Sequence, residues 1–146
     1  MENIVPVLVA ALIPTVMGMI YYNPKVFGNA WMASLGKTEE ELKEGFNMAV
    51  VTIVGLVLSF LLAFSVNAIV ELIHQNVDEA GTILTSSDHN FGHGAFHGVF
   101  IALTVCIPVL ITNGMYERKS WKNLLINTGY WVITIALMSG LMDAWN

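Results

Sequence analysis

The sequence predicts an all-α integral membrane bundle of four transmembrane helices, with a short interfacial amphipathic helix between spans one and two. Three observations lead there. Hydrophobic residues make up 55% of the 146-residue chain and charged residues only 12%, against about a quarter charged in an ordinary soluble domain. Four apolar stretches supply the roughly 20 residues that about 30 Å of hydrocarbon requires, and none of them holds a Lys or Arg. The six basic residues fall only in alternate connections. The length suits one domain, residues 1–146.

Span one covers about residues 4–22. Its apolar run resembles a signal peptide, but Glu2 stands where a basic segment is required, no small-x-small cleavage site follows, and the run ends in Tyr21-Tyr22-Asn23-Pro24. It reads as a retained span. The first connection, residues 23–45, contains a helix: Asn23 can cap it, Pro24 suits its first position, Phe27, Trp31 and Leu35 share a face, and Gly36 suits the left-handed residue after it. Thr38 followed by Glu41 is a capping box, which predicts that span two starts as a water-exposed turn there and enters the membrane at about residue 46.

Span two covers about residues 46–70, span three 93–115 and span four 124–145. Residues 71–92 form a polar outer loop with no assigned helix or strand. Residues 116–123 form a short turn in which Ser120 can cap span four, so spans three and four make an antiparallel hairpin. Pro108 lies inside span three and should kink it. Gly55, Ser59, Ala63 and Asn67 stripe span two, Gly94 and Gly98 span three, and Ala10, Pro14 and Gly18 span one; such stripes allow helices to pack in lipid. Asn67, Asn113 and Asn127 are expected to hydrogen-bond between helices.

Charge gives the orientation. Lys25, Lys37 and Lys43 lie between spans one and two, and Arg118, Lys119 and Lys122 between spans three and four, while Glu2, Glu71, Asp78, Glu79, Asp88 and Asp143 lie on the opposite side. The positive-inside rule makes the basic connections cytoplasmic and both termini extracytoplasmic. Tyr21, Tyr22, Trp31, Tyr116 and Trp121 form an inner aromatic belt, with Trp145 at the outer interface. The lipid bilayer is the expected partner, and no nucleic acid. Cys106, the single cysteine, has no internal partner and reads as a small apolar residue.

All four histidines, His74, His89, His93 and His97, lie at the outer ends of spans two and three. The last three recur every fourth residue, which on a continuous helix puts three imidazoles on one face. Glu71 adds a carboxylate one turn before His74, and equal counts outward from Lys119 bring Asp143 to the depth between His93 and His97. Imidazoles with carboxylates can ligate a transition metal such as zinc, or pass protons. They can also simply hydrogen-bond across helices, the reading favoured over either, so no cofactor is required. The glycines around them, Gly92, Gly94 and Gly98, either admit a neighbouring helix or loosen the helix start; close approach is the favoured reading. There is no phosphate loop, zinc-protease motif, serine elbow or cysteine pair, so an enzyme is not expected.

The segment Tyr21-Tyr22-Asn23-Pro24-Lys25-Val26-Phe27-Gly28-Asn29-Ala30-Trp31-Met32 resembles the first hallmark of the bacterial family called domain of unknown function 1761. Tyr116-Glu117-Arg118-Lys119-Ser120-Trp121-Lys122, with Leu125 to Trp131, is similar to its second, and His93 to Gly98 resembles a variant in one branch. The resemblance implies a small four-span inner-membrane protein with no known activity. It also implies that both hallmarks lie on the cytoplasmic face, where Asn23, Pro24, Phe27, Trp31, Glu117, Arg118 and Trp121 are expected to form a docking surface or a structural clasp. Glu117 is expected to pair with Lys25 or Lys122. The leading functional expectation is a non-enzymatic bundle acting as a homo-oligomer or membrane-complex subunit; the alternative is proton or transition-metal binding or transport at the outer histidines.

Overall fold

A computed structural model describes residues 4–45, 47–85 and 89–145. Glu2 and Asp88, assigned to the outer side, and Phe46, taken as the start of span two, lie outside the described residues. The chain is predominantly helical, with three helices long and apolar enough to cross a membrane: Met48–His74, Phe91–Tyr116 and Trp121–Trp145. A fourth crossing is added if Val5–Tyr21 and Pro24–Leu35, joined at a 54° bend, count as one span.

The first apolar stretch is not one rod. It divides into α1, Val5–Ala10, and α2, Ile13–Tyr21. Pro14 explains the break, because its ring has no N–H for the Ala10 carbonyl and crowds it. The small-residue stripe still faces inward: Ala10 and Pro14 are buried, and the Gly18 Cβ position lies 3.8 Å from the Tyr130 hydroxyl.

The connection then folds largely as predicted. Asn23 accepts from the Lys25 N–H at 3.0 Å and opens a π turn, Pro24–Gly28, that runs into α3, Asn29–Leu35. The Gly28 N–H reaches the Asn23 carbonyl at 2.9 Å, and a Cβ on Gly28 would sit 2.7 Å from the Asn23 carbonyl carbon. Gly36 closes α3 at φ +65°.

The Thr38 capping box is present, but it starts a separate short helix, α4, Glu39–Lys43. Gly45 at φ +70° ends that turn, and α5, Met48–His74, begins afresh with Asn47 accepting from the Val50 N–H at 3.2 Å. The expectation that the capping box opens span two is therefore corrected by a glycine in the left-handed region.

α5 runs one turn beyond its predicted end, carrying Glu71 and His74 into the helix. Its buried residues are Ser59, Ala63, Val66, Val70 and His74; every residue from 48 to 58 is exposed except half-buried Gly55. The outer loop holds a small antiparallel hairpin that the sequence reading did not assign: β1, Gln75–Val77, pairs with β2, Ile83–Thr85. Asp78 makes the turn, its Oδ1 accepting from the Ala80 N–H at 2.9 Å and the Thr82 N–H at 2.7 Å, and Gly81 follows at φ +80°.

The third long helix is α6, Phe91–Ile101, a π turn, Ala102–Cys106, and α7, Ile107–Tyr116. The π turn stands immediately before Pro108, where a proline in a helix leaves a carbonyl without its donor. Cys106 ends that turn half-buried beside the core. α7 stops at Arg118, a non-glycine residue at φ +55°, with the Lys119 N–H on the Gly114 carbonyl at 2.9 Å. This is the left-handed helix ending that usually selects glycine. α8, Trp121–Trp145, follows with Ser120 accepting from the Asn123 N–H at 3.2 Å, as expected.

α8 is the central helix, and α6 packs closest to it. A Cβ on Gly98 would stand 2.6 Å from the Ile135 carbonyl and 2.8 Å from the Ala136 Cα. One on Gly94 would meet the Ser139 carbonyl at 2.7 Å and the Asp143 side chain. The close-approach reading of these glycines is thus correct, and the contact is backbone to backbone. The apolar core lies beside it, with Ile135, Met138, Met142, Ala10, Ala63 and Ala102 fully buried.

Candidate metal centre

Glycine packing fixes the outer site. Because α6 lies directly on α8, the first turn of α6 stands beside the last turn of α8, and the end of α5 closes the group. His74 is the last residue of α5, His93 and His97 lie on α6, and Asp143 lies on α8. His89 precedes the helix, which begins at Phe91 with Asn90 accepting from the His93 N–H at 3.0 Å. The shared face that a continuous helix would give His89, His93 and His97 is thus limited to His93 and His97. His89 reaches the group through an extended lead-in instead.

The five side chains nevertheless converge. His74 Nε2 lies 3.3 Å from His93 Nδ1, and His93 Nε2 lies 3.1 Å from His97 Nε2. His89 Nδ1 lies 2.9 Å from Asp143 Oδ1, which is 3.7 Å from His74 Nε2. Two groups have ligating atoms that all lie within 4.8 Å of one another: His74, His93 and His97, and His74, His89 and Asp143.

Two supporting bonds orient the group. The Val70 carbonyl lies 2.8 Å from His74 Nδ1. A carbonyl only accepts, so this nitrogen carries the hydrogen, and a neutral His74 ring presents its Nε2 lone pair to the cluster. Asp143 Oδ2 accepts the Asn90 backbone N–H at 3.2 Å, where the positive end of the α6 dipole favours a carboxylate. Asp143 is fully buried and His74 nearly so; the ion partners of Asp143 among the described residues are His74 and His89. Glu71 does not join the cluster, since its carboxylate is engaged by the Asn67 amide one turn back on α5.

At the opposite end of α8 the buried polar side chains form a neutral chain of hydrogen bonds. The Tyr22 hydroxyl donates to Asn127 Oδ1 at 2.8 Å, Asn127 Nδ2 to Asn123 Oδ1 at 2.9 Å, and Asn123 Nδ2 to Ser34 Oγ at 2.9 Å. Ser34 Oγ in turn donates to the Trp31 carbonyl at 2.6 Å. Phe27 stacks on Tyr21 with centroids 4.5 Å apart, and Trp31 meets Tyr22 edge-on at 5.3 Å. Asn23 and Pro24 start the π turn. Glu117 pairs with Lys119 at 2.5 Å rather than with Lys25 or Lys122, Arg118 forms the turn, and Trp121 is exposed. Asn123 and Ser34, which join α8 to α3, were not singled out from the sequence; the Asn123-to-Asn127 spacing of one helical turn was the available signal.

The family described as Protein of unknown function (DUF1761) matches residues 5–142. The chain belongs to that family. The match to DUF1761 takes in both hallmark segments and His93 to Gly98, as the resemblance implied, and covers nearly the whole chain. Neither a curated protein nor a solved structure matches this DUF1761 member.

Proposed function

We propose that this protein crosses a bacterial inner membrane four times, with both termini outside, and binds a divalent transition-metal ion of the zinc class at its outer histidine and aspartate cluster. One observation carries the reading: residues from three helices and a loop bring four imidazoles and a buried carboxylate into two trios that share His74, the ligand atoms of each within reach of one ion. Ligands at about 2.0–2.1 Å from a tetrahedral ion stand about 3.3 Å apart. The His74 to His93 separation of 3.3 Å and the His74 to Asp143 separation of 3.7 Å suit that geometry.

The surroundings support an ion over simple hydrogen bonding. Imidazole and carboxylate donors suit zinc and its neighbours. The Val70 carbonyl on His74 Nδ1 is the kind of outer bond that fixes the tautomer of a metal-ligating histidine. The buried Asp143 charge has no Lys or Arg partner among the described residues, and a divalent ion would offset it. All six basic residues belong by sequence to the other face, which supports the proposed orientation.

Elemental analysis of protein purified in detergent tests the reading. Wild type should carry zinc or a similar ion after micromolar metal and gel filtration, while the His93→Ala, His97→Ala double variant should carry less. A wild-type preparation that retains none, still folded, ends the proposal. A second reading has its own observation, the file of imidazoles from His97 through His93 to His74, along which a proton can pass. Metal-independent proton flux into liposomes, abolished in the double variant, would favour it instead. For the inner face we propose a structural clasp, with Asn123 and Ser34 at its centre.

A further inference from the structure

The outer cluster contains two ligand sets, and they are not independent. One is His74, His93 and His97; the other is His74, His89 and Asp143. His74 is the single residue in common. Its Nδ1 is occupied by the Val70 carbonyl, so only Nε2 has a lone pair to give, and one lone pair binds one ion. A second ion held at the same time would be left with two protein ligands, either His93 and His97 or His89 and Asp143. That is one short of the three that even an open zinc site keeps.

From this geometry we infer that the cluster holds a single metal ion in either of two overlapping positions, and that the ion passes between them by exchanging ligands around a fixed His74. The inference rests on the metal-binding reading given above and adds its stoichiometry and its path. The two positions differ in chemistry. The His89 and Asp143 set contributes a carboxylate charge, whereas the His93 and His97 set is all imidazole. They differ also in access. The rings of His89, His93 and His97 are all partly exposed, but His89 sits in the loop ahead of α6, while His97 lies in the second turn of that helix, about 6 Å further along its axis than His93. An ion arriving from the outer loop therefore meets His89 and Asp143 first. It reaches the all-imidazole set by releasing them while His74 stays bound. His93 bridges the distance, with one ring nitrogen toward His74 and the other toward His97.

The test uses full-length protein in detergent, with Co²⁺ as the spectroscopic probe and Zn²⁺ as its competitor. Wild type should saturate at one Co²⁺ per chain. The His93→Ala, His97→Ala pair and the His89→Ala, Asp143→Asn pair should each still bind one when Co²⁺ is in excess, more weakly than wild type, with different visible spectra that together account for the wild-type spectrum. His74→Ala should weaken binding by about 100-fold or more, beyond either double variant. Circular dichroism and thermal melting identify any variant that has lost its fold, and the wild-type stoichiometry needs no substitution at all. Two ions per wild-type chain would overturn the inference while leaving metal binding intact. So would a folded double variant of either kind that binds none, or a His74→Ala protein that binds as tightly as wild type. Wild-type protein that takes up neither Co²⁺ nor Zn²⁺ would instead remove the metal reading itself.

Discussion

The two ends of α8 are both polar and both buried, yet they solve the problem of polarity in lipid differently. At the Trp121 end, Asn123 and Asn127 join Ser34 and Tyr22 in a neutral chain of hydrogen bonds, each donor facing an acceptor. Such a chain holds helices together and leaves little for a ligand. At the Trp145 end, Asp143 and four imidazoles converge in two overlapping trios of metal-ligand type. The two stripes also face opposite ways around α8, since Asp143 and Ser139 turn toward α6 whereas Tyr130, Asn127 and Asn123 turn toward α2 and α3. A polar path from end to end would have to cross the apolar layer of Ile135 and Met138. The difference teaches that buried polarity reads as a clasp where neutral amides and hydroxyls pair with one another, and as a candidate binding site where imidazoles and a carboxylate converge.

Removing His74 should break the comparison most severely. His74→Ala is expected to cost about two orders of magnitude in zinc affinity, measured by competition, with the Tyr22 to Asn127 contact unaltered. Next comes the glycine seam. Gly98→Ala drives a methyl group against the Ile135 carbonyl and the Ala136 Cα, so it should lower stability by about 1–3 kcal/mol in reversible unfolding from micelles and should weaken metal binding too, because the seam holds Asp143 beside α6. Asn123→Ala sharpens the contrast from the other end. It should cost about 0.6–1.7 kcal/mol and leave metal affinity unchanged; a joint loss would mean that the two ends are coupled.

The smallest effect belongs to Glu39 on exposed α4. Lys43, hydrogen-bonded to it, holds its carboxyl below the ordinary value of 4.5. Any stability from that pair is present above the unfolded value and lost as pH falls through the lower folded one. Both side chains are in water, so Glu39→Gln should leave the melting temperature unchanged within error.

Much of this was legible before the fold. The apolar lengths gave the long helices, Asn23, Gly36 and Ser120 marked real helix ends, and the Gly94 and Gly98 pair marked the tightest packing. The histidine cluster was legible as a convergence, because depth counted from the Lys119 turn brought Asp143 between His93 and His97. What escaped were competitions between local signals. Pro14 was counted among small packing residues, and it also broke the first helix at Ala11 and Leu12. The Thr38 capping box was real, but Gly45 at positive φ cut it off from α5. Asn90 captured the start of α6 and left His89 outside, and Asp78 with Gly81 built a hairpin from a segment too short and polar to show strand alternation. Glu71 pointed toward histidines by spacing, yet Asn67 on its own helix was nearer.

One further consequence follows from α5, whose residues 48–58 are almost all left uncovered by the other described residues. A saturation scan along this helix should divide sharply near Ser59. Below that point any oily residue should be accepted regardless of its bulk, because fluid acyl chains reshape themselves around it, whereas a charge should be rejected at a cost of about 2.5–3.5 kcal/mol. Above it, at Ala63 and Val66, shape rather than oiliness should decide which replacements survive. One continuous rod would then record two grammars of tolerance, liquid at one end and crystalline at the other.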